Sequence, residues 1–359
     1  PARNKLLAEM TDEVAELVLR NNYLQSQAIS TLQTQAVARF REHVHVIKVL
    51  TQTGELDPVI EFLPNDEEVS ERRKRNQGLT RPELAIVLAY SKIWLYNKMV
   101  HSDVPEDPYL SKELERYFPE PIRRRFGKHL TRHRLRREII ATAVTNSLVN
   151  RMGPVFAIRA QEDTGMDAAA IARAYTIARE AFDMRSLWTD IEALDTLVPA
   201  DTQYAMMYET SRLLRHMTYW VLSRHGDDLD IEKAVSALEP GIRKLRGSLE
   251  KLLTGSELNR YNESIARLTD KGVPRAVAAR VAALTAMHSA VDIVTVARET
   301  KMDAEIIGRT YFALGERLNL DWIRNQIETL SVDGHWQAVA RGTLRDNLYA
   351  LQCQLTARV

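Results

Sequence analysis

LRREIIATAVTNSLVNRMGPVFAIRAQEDTGMDAAAIARAYTIAREAFDMRSLWTDIEAL, from Leu135 to Leu194, is the stretch on which the fold turns. It reads as one long helix, a break at Gly153-Pro154, a short helix, a turn around Gly165 and a second long helix. A degenerate copy returns as ETKMDAEIIGRTYFALGERLNLDWIRNQIETL, from Glu299 to Leu330. At an offset of 136, Thr164, Met166, Asp167, Ala168, Ile171, Arg173, Tyr175 and Glu180 recur as Thr300, Met302, Asp303, Ala304, Ile307, Arg309, Tyr311 and Glu316. Ile191, Glu192 and Leu194 recur likewise as Ile327, Glu328 and Leu330. Two copies of one helical unit suggest a scaffold made by duplication, and two are too few for a solenoid.

Outward from that stretch the chain reads as nearly all helix. Glycine (14) and proline (12) are sparse, Ala, Leu, Arg and Glu abound, and alternating β-branched runs are almost absent. The expected fold is all-α, a multi-helix bundle array with the duplicated unit at 135–194 and 273–330. With 359 residues there is room for two or three helical modules, here an N-terminal module over 1–104 and a C-terminal bundle over 105–359. Hydrophobic content of 45% with 27% charge excludes bulk disorder, and a net charge of +1 steers the chain toward neither nucleic acid nor membrane. The single cysteine, Cys353, cannot close an internal disulfide, which fits a reducing, cytoplasmic setting. Leu84–Tyr90 is far shorter than the ~20 apolar residues a membrane span needs, and the acids among the first residues argue against a secretory signal. The chain starts without Met and reads as a piece of something longer.

Leu6, Met10, Val14, Leu17 and Val18 space a first helix to about Arg20, followed by a second from Asn22 to about Thr51. Gly54, Pro58 and Pro64 punctuate a short helical connector, LDPVIEF. Acids then bases from Glu67 to Arg75 match the dipole of a short exposed helix. Thr80-Arg81-Pro82-Glu83 is a capping box with proline in the first turn, and it starts a core helix, ELAIVLAYSKIWLYNKMV. Thr254-Gly255-Ser256-Glu257 repeats the capping pattern. Long helices follow over Tyr204–His225 and Leu229–Leu253, separated by a Gly226-Asp227-Asp228 turn. Gly272-Val273-Pro274 opens an Ala-rich helix, and a last helix, His335–Leu355, is expected to dock back on the bundle.

Chemistry is harder to find. No G-x-G-x-x-G or G-x-x-x-x-G-K-[ST] occurs, so phosphate cradling by a glycine loop is unsupported. Glu42 and His45 form one Glu-x-x-His pair where a di-iron bundle needs two, and the plainer reading is a solvated or hydrogen-bonded helix face. His129 and His133 are spaced for one helix face, but the surrounding Lys128, Arg132, Arg134, Arg136 and Arg137 disfavour a divalent ion. Asp227, Asp228 and Asp230 read better as a turn and N-cap than as a metal cluster. No catalytic, cofactor-binding or metal residue is assigned. The one unusual charge is Arg116–Arg137, with nine basic residues and Glu120 the only acid. It suits pairing with acids on adjacent helices or subunits, an anionic ligand, or a nucleic acid, although no glycine-rich or aromatic interleaving supports base stacking.

Four blocks carry a resemblance: MTDEVAELVLRNNYLQSQAIS (Met10–Ser30), RNQGLTRPELAIVLAYSKI (Arg75–Ile93), REIIATAVTNSLVNRMGPVF (Arg137–Phe156) and the turn Asp163-Thr164-Gly165. Together the chain resembles the C-terminal, helix-rich portion of the large bacterial NAD-dependent glutamate dehydrogenases. The resemblance implies an upstream catalytic part that passes hydride from the glutamate Cα to NAD and releases 2-oxoglutarate and ammonia. It implies assembly or regulation for this segment, as part of a homo-oligomer, with NAD bound elsewhere and without nucleic-acid or membrane partners. None of that family's catalytic or nucleotide motifs has a match here, so no catalytic residue is carried over. The competing readings are a free-standing helical adaptor that binds an acidic partner through Arg116–Arg137, and an enzyme with its own bundle-core site.

Overall fold

The computed structural model describes residues 2–226, 229–332 and 334–359, so Asp227 and Asp228 of the expected turn lie outside the described residues. Among the described residues there is no strand. The helices run α1 (Ala2–Thr34), α2 (Phe40–Gln52), α3 (Asp66–Lys74), α4 (Arg81–Val100), α5 (Ser111–Tyr117) and α6 (Glu120–Leu130). Next come α7 (Arg136–Met152), α8 (Phe156–Thr164), α9 (Ala168–Ala181), α10 (Met184–Glu192), α11 (Ala200–His225) and α12 (Ile231–Leu252). The chain closes with α13 (Gly255–Thr269), α14 (Arg275–Ala286), α15 (Ala290–Thr300), α16 (Ala304–Arg317), α17 (Leu320–Thr329) and α18 (His335–Thr356). Two compact units result: Pro1–Tyr175 with Leu222–Leu229, and Thr176–Val221 with Asp230–Val359.

In the first unit, α4 packs on α1, α2 and α7, and α5 packs on α6 and α7. Leu84, Leu95 and Met99 of α4 and Ile140 and Leu148 of α7 are fully buried, and burying each such side chain is worth ~1.5–3 kcal/mol. Glu83 accepts the Thr80 N–H at 2.7 Å, which is the return arm of the expected capping box, and also takes both arms of Arg72 at 2.7 and 2.8 Å. Burial pushes its carboxyl up, but Arg72 and Thr80 outweigh that and hold it below the usual carboxylate range. At α3 the acids sit in the first turn and the bases in the last, with Asn65 and Glu68 closing a capping box.

The first helix does not stop near Arg20. Nothing at Asn21-Asn22 forces a break, and α1 runs on to Thr34. The chain turns instead at Gln35–Arg39, where Gly78 lies so close that a Cβ on it would stand 2.4 Å from the Ala36 carbonyl. LDPVIEF is a set of turns rather than a helix: Asp57 Oδ1 accepts the N–H groups of Val59 and Ile60, and Phe62 takes φ 53°.

In the second unit α12 packs on α15 and α16, α13 on α14, and α18 on α15, α16 and α17, so the last helix docks as expected. Tyr349, Gln352 and Cys353 form its buried side. Arg275–Thr300 is long and apolar enough by composition to cross a membrane, but 67% of its most apolar window is buried against the protein.

The organising stretch breaks at Gly153 and at Gly165, which is left-handed at φ 71°. It breaks once more, unexpectedly, at Asp183, φ 52°, so that α9 and α10 replace one long helix. The Phe182 carbonyl accepts from Arg246, and Asp183 faces Arg246 and Arg280 at 3.6 Å each. Those partners lie far along the chain. α9 and α16 start and end 136 residues apart, and so do the starts of α10 and α17 and the ends of α8 and α15. Left-handed Gly165 and Asp183 correspond at that offset to left-handed Lys301 and Asn319. Asp167 and Asp303, also matched, each cap the following helix, accepting from Ala170 N (2.7 Å) and Glu305 N (2.8 Å).

Candidate functional site

A cleft of about 990 Å³ lies in the second unit, walled by α11, α13, α14, α17 and α18. Its walls are cross-tied by charge. Arg260 of α13 reaches Asp321 of α17 (2.6 Å), Glu257 of α13 accepts from Arg324 of α17 (2.8 Å), and Arg345 of α18 faces Glu328 of α17 (3.6 Å). Because Glu257 is taken by Arg324, the capping box expected at Thr254 is not made, although the helix does start there. Among the described residues Arg267 of α13 and Lys271, two residues past its end, line the cleft without a carboxylate partner. The arrangement offers charge-assisted hydrogen bonds to a small anion.

Behind that wall sits a cluster that the sequence reading missed. The His216 ring lies 5.1 Å from His288 and 5.5 Å from Tyr349, and Arg324 lies 5.5 Å over Tyr349. His288 Nδ1 donates to the Leu284 and Thr285 carbonyls at 3.0 Å. Burial lowers the His288 pKa to about 4 and pushes that of His216 well below the usual histidine range. Both rings are therefore neutral at pH 7. Spacing along the chain carries no signal for a pair 72 residues apart.

The pairs singled out in the sequence are not brought together. Glu42 pairs with Arg39, while His45 Nε2 meets Glu162 at 2.6 Å, so the two serve different partners. Their neighbour His43 is fully buried with neither ring nitrogen partnered, and burial lowers its pKa to about 4. His129 and His133 do not share a helix face. α6 ends at Leu130, and His133 turns its ring edge-on to Phe118 and accepts the Leu135 N–H at 3.2 Å. Asp230 caps α12 by accepting from Lys233 N at 2.9 Å. Among the described residues no group of three or more His, Cys, Asp or Glu converges as a metal site.

The basic segment is divided in its use. Arg116 pairs with Glu113, Arg123 with Glu13, Arg125 with Glu9, and Arg136 and Arg137 with Glu106. Arg137 also donates to the Val100 and Ser102 carbonyls at 2.8 Å. Arg124, Lys128, Arg132 and Arg134 are exposed and have no carboxylate partner among the described residues.

Residues 76–359 match the family model described as glutamate dehydrogenase, C-terminal. The chain belongs to that C-terminal glutamate dehydrogenase family. The family's segment holds the whole cleft, the buried histidine pair and the basic segment. Residues 1–32, nearly all of α1, match a second model, the catalytic domain of bacterial NAD-glutamate dehydrogenase. Proteins named NAD-specific glutamate dehydrogenase from Halomonas elongata and Pseudomonas aeruginosa are each 41% identical over 99% of the chain, and one from Mycobacterium tuberculosis is 30% identical over 97%. The chain spans only 22%, 22% and 21% of their respective lengths. The glutamate dehydrogenase C-terminal segment is thus part of a larger chain with a catalytic domain.

Proposed function

We propose that this chain is the helical, non-catalytic C-terminal part of an NAD-dependent glutamate dehydrogenase, serving assembly or regulation of a cytoplasmic homo-oligomer. The full-length enzyme oxidatively deaminates L-glutamate to 2-oxoglutarate and ammonia, and NAD binds upstream of this segment. The observation that carries the reading is the pair of family matches, one to a catalytic domain over residues 1–32 and one to the C-terminal domain over residues 76–359, in a single chain. In this reading residues 1–104 make the junction with the upstream catalytic part, and residues 105–359 carry two copies of one ancestral helical unit. The shared register of caps, helix ends and left-handed residues at an offset of 136 supports the duplication.

Hydride transfer needs the nicotinamide held against the substrate carbon by a phosphate-binding turn, a carboxylate clamp and an acid–base group. Misplacement by about 1 Å already costs ~10²-fold in rate. Calorimetric titration of this chain with NAD, and absorbance at the reduced-cofactor band with glutamate present, should both stay at the no-protein baseline. The full-length enzyme should turn over, and should lose activity or assembly when this segment is deleted. Micromolar NAD binding or glutamate-dependent reduction by this chain alone would sink the reading.

A further inference from the structure

Helix α1 carries its charges on the wrong side for a helix that ends in solvent. Between Lys5 and Arg20 the charged residues are Lys5, Glu9, Asp12, Glu13, Glu16 and Arg20, and at about 100° per residue they fall within one arc of about 100°. Part of that arc is committed to the chain's own body. Glu9 pairs with Arg125 and Glu13 with Arg123 of α6, and Glu13 also accepts the backbone N–H of Glu120 at the start of α6. Leu6, Met10 and Leu17, beside those acids, are half-buried. The remaining arc, about 140° wide by the same helical geometry, holds Leu7, Ala8, Thr11, Val14, Ala15, Val18 and Leu19 without a single charge, and every one of them is exposed. Leu7 is 48% exposed, Val14 39%, Val18 54% and Leu19 67%. A surface helix normally turns its apolar stripe inward and its charges outward. Here the apolar stripe faces water.

The other half of α1 is anchored: Gln27, Ala28 and Leu32 are buried, and Gln27 accepts from Arg151 of α7 at 3.0 Å. The family matches say what belongs over the bare half. Residues 1–32 match a catalytic-domain model, and the relatives are several times longer than this chain. We propose that the face formed by Leu7, Val14, Val18 and Leu19 is buried against the remainder of the catalytic domain. α1 then acts as a rigid strut with one end in each part. This rests on the reading given under Proposed function, and names the contact through which the helical segment would hold the catalytic part.

The test compares hydrogen exchange of peptides covering residues 2–20 in the 359-residue chain and in the full-length polypeptide. Exchange of these amides should slow at least tenfold in the full-length protein, while peptides from α14 exchange alike in both. The double substitution Val14→Asp, Val18→Asp should leave the melting temperature of the 359-residue chain unchanged, because both side chains are in water there. In the full-length protein it should abolish the extra protection and lower glutamate-dependent NAD reduction at least tenfold. Equal exchange in the two proteins overturns the proposal even if the full-length enzyme is active, in which case the functional reading stands. Protection without glutamate turnover upholds the docking face and removes the functional reading. A third result also overturns it: a concentration-dependent dimer of the 359-residue chain, seen by sedimentation and abolished by the double substitution, would make a second copy the occupant.

Discussion

Asp183 and Asn319 stand 136 residues apart and hold the same backbone conformation, φ 52° and 51°, each immediately before a helix. Asp and Asn tolerate the left-handed region better than other side chains with a Cβ. Replacing Asn319 with Ala should cost ~1 kcal/mol of stability, and Asn319→Gly should stay within ~0.5 kcal/mol of the parent. Asp183→Ala should cost more, because Arg246 and Arg280 also lose their shared carboxylate. Chemical denaturation of the three variants checks the order.

Tyr175 and Tyr311 are both 1% exposed, and truncation of either to Ala should destabilise by ~3–5 kcal/mol. Their hydroxyls separate them. Tyr175 donates to the Ser147 carbonyl at 3.0 Å, whereas the Tyr311 hydroxyl is buried without a partner. Tyr175→Phe should therefore lose ~1 kcal/mol, and Tyr311→Phe should be neutral or stabilising. Melting temperatures that place the two Phe variants in the opposite order would contradict the assigned packing.

Acid should weaken the fold through its buried histidines. His43 and His288 titrate near 4 when folded, against an ordinary value near 6.5. Between those values the unfolded chain binds more protons than the folded one, so stability is complete above about pH 6.5 and falls as the pH drops toward 4. For His43 alone the loss by pH 4 is on the order of 3 kcal/mol. Denaturant midpoints measured from pH 7 to pH 4.5 should show the decline, and His43→Leu should flatten part of it.

Arg72 and Glu83 form a two-armed pair with side chains only 22% and 11% exposed. Arg72→Ala leaves the Glu83 carboxylate with the Thr80 N–H but without its cation, and should cost about 2–3 kcal/mol. Glu83→Gln should cost less, because the amide oxygen can still accept from Thr80 N. Equal losses for the two variants would show that the charge is not what matters there.

The sequence made the helices legible wherever a local signal set their limits. Thr80-Arg81-Pro82-Glu83, Gly153-Pro154, Gly165 and Gly272-Val273-Pro274 each mark a real boundary, because caps, prolines and glycines act within one turn. Some of the features that local signals miss are set from a distance. Arg246 and Arg280 hold the break at Asp183, and Arg324 draws Glu257 away from Thr254. The cleft was illegible for the same reason. Its walls come from helices whose lining residues range from Thr202 to Tyr349, and its local trace, Arg267 near the end of α13 and Lys271 just past it, matches countless solvated surfaces.

Gly78 lies outside every helix, on a half-exposed loop where mutational tolerance would ordinarily be high. Its neighbours Ala36 and Val37 are backbone, which cannot swing aside as a side chain would. In a saturation library position 78 should thus behave like core, depleted of alanine and serine as thoroughly as of tryptophan, while Gln77 beside it accepts most residues. The loop's length should be equally intolerant: one inserted residue between Asn76 and Leu79 would move glycine away from the close approach to the Ala36 carbonyl.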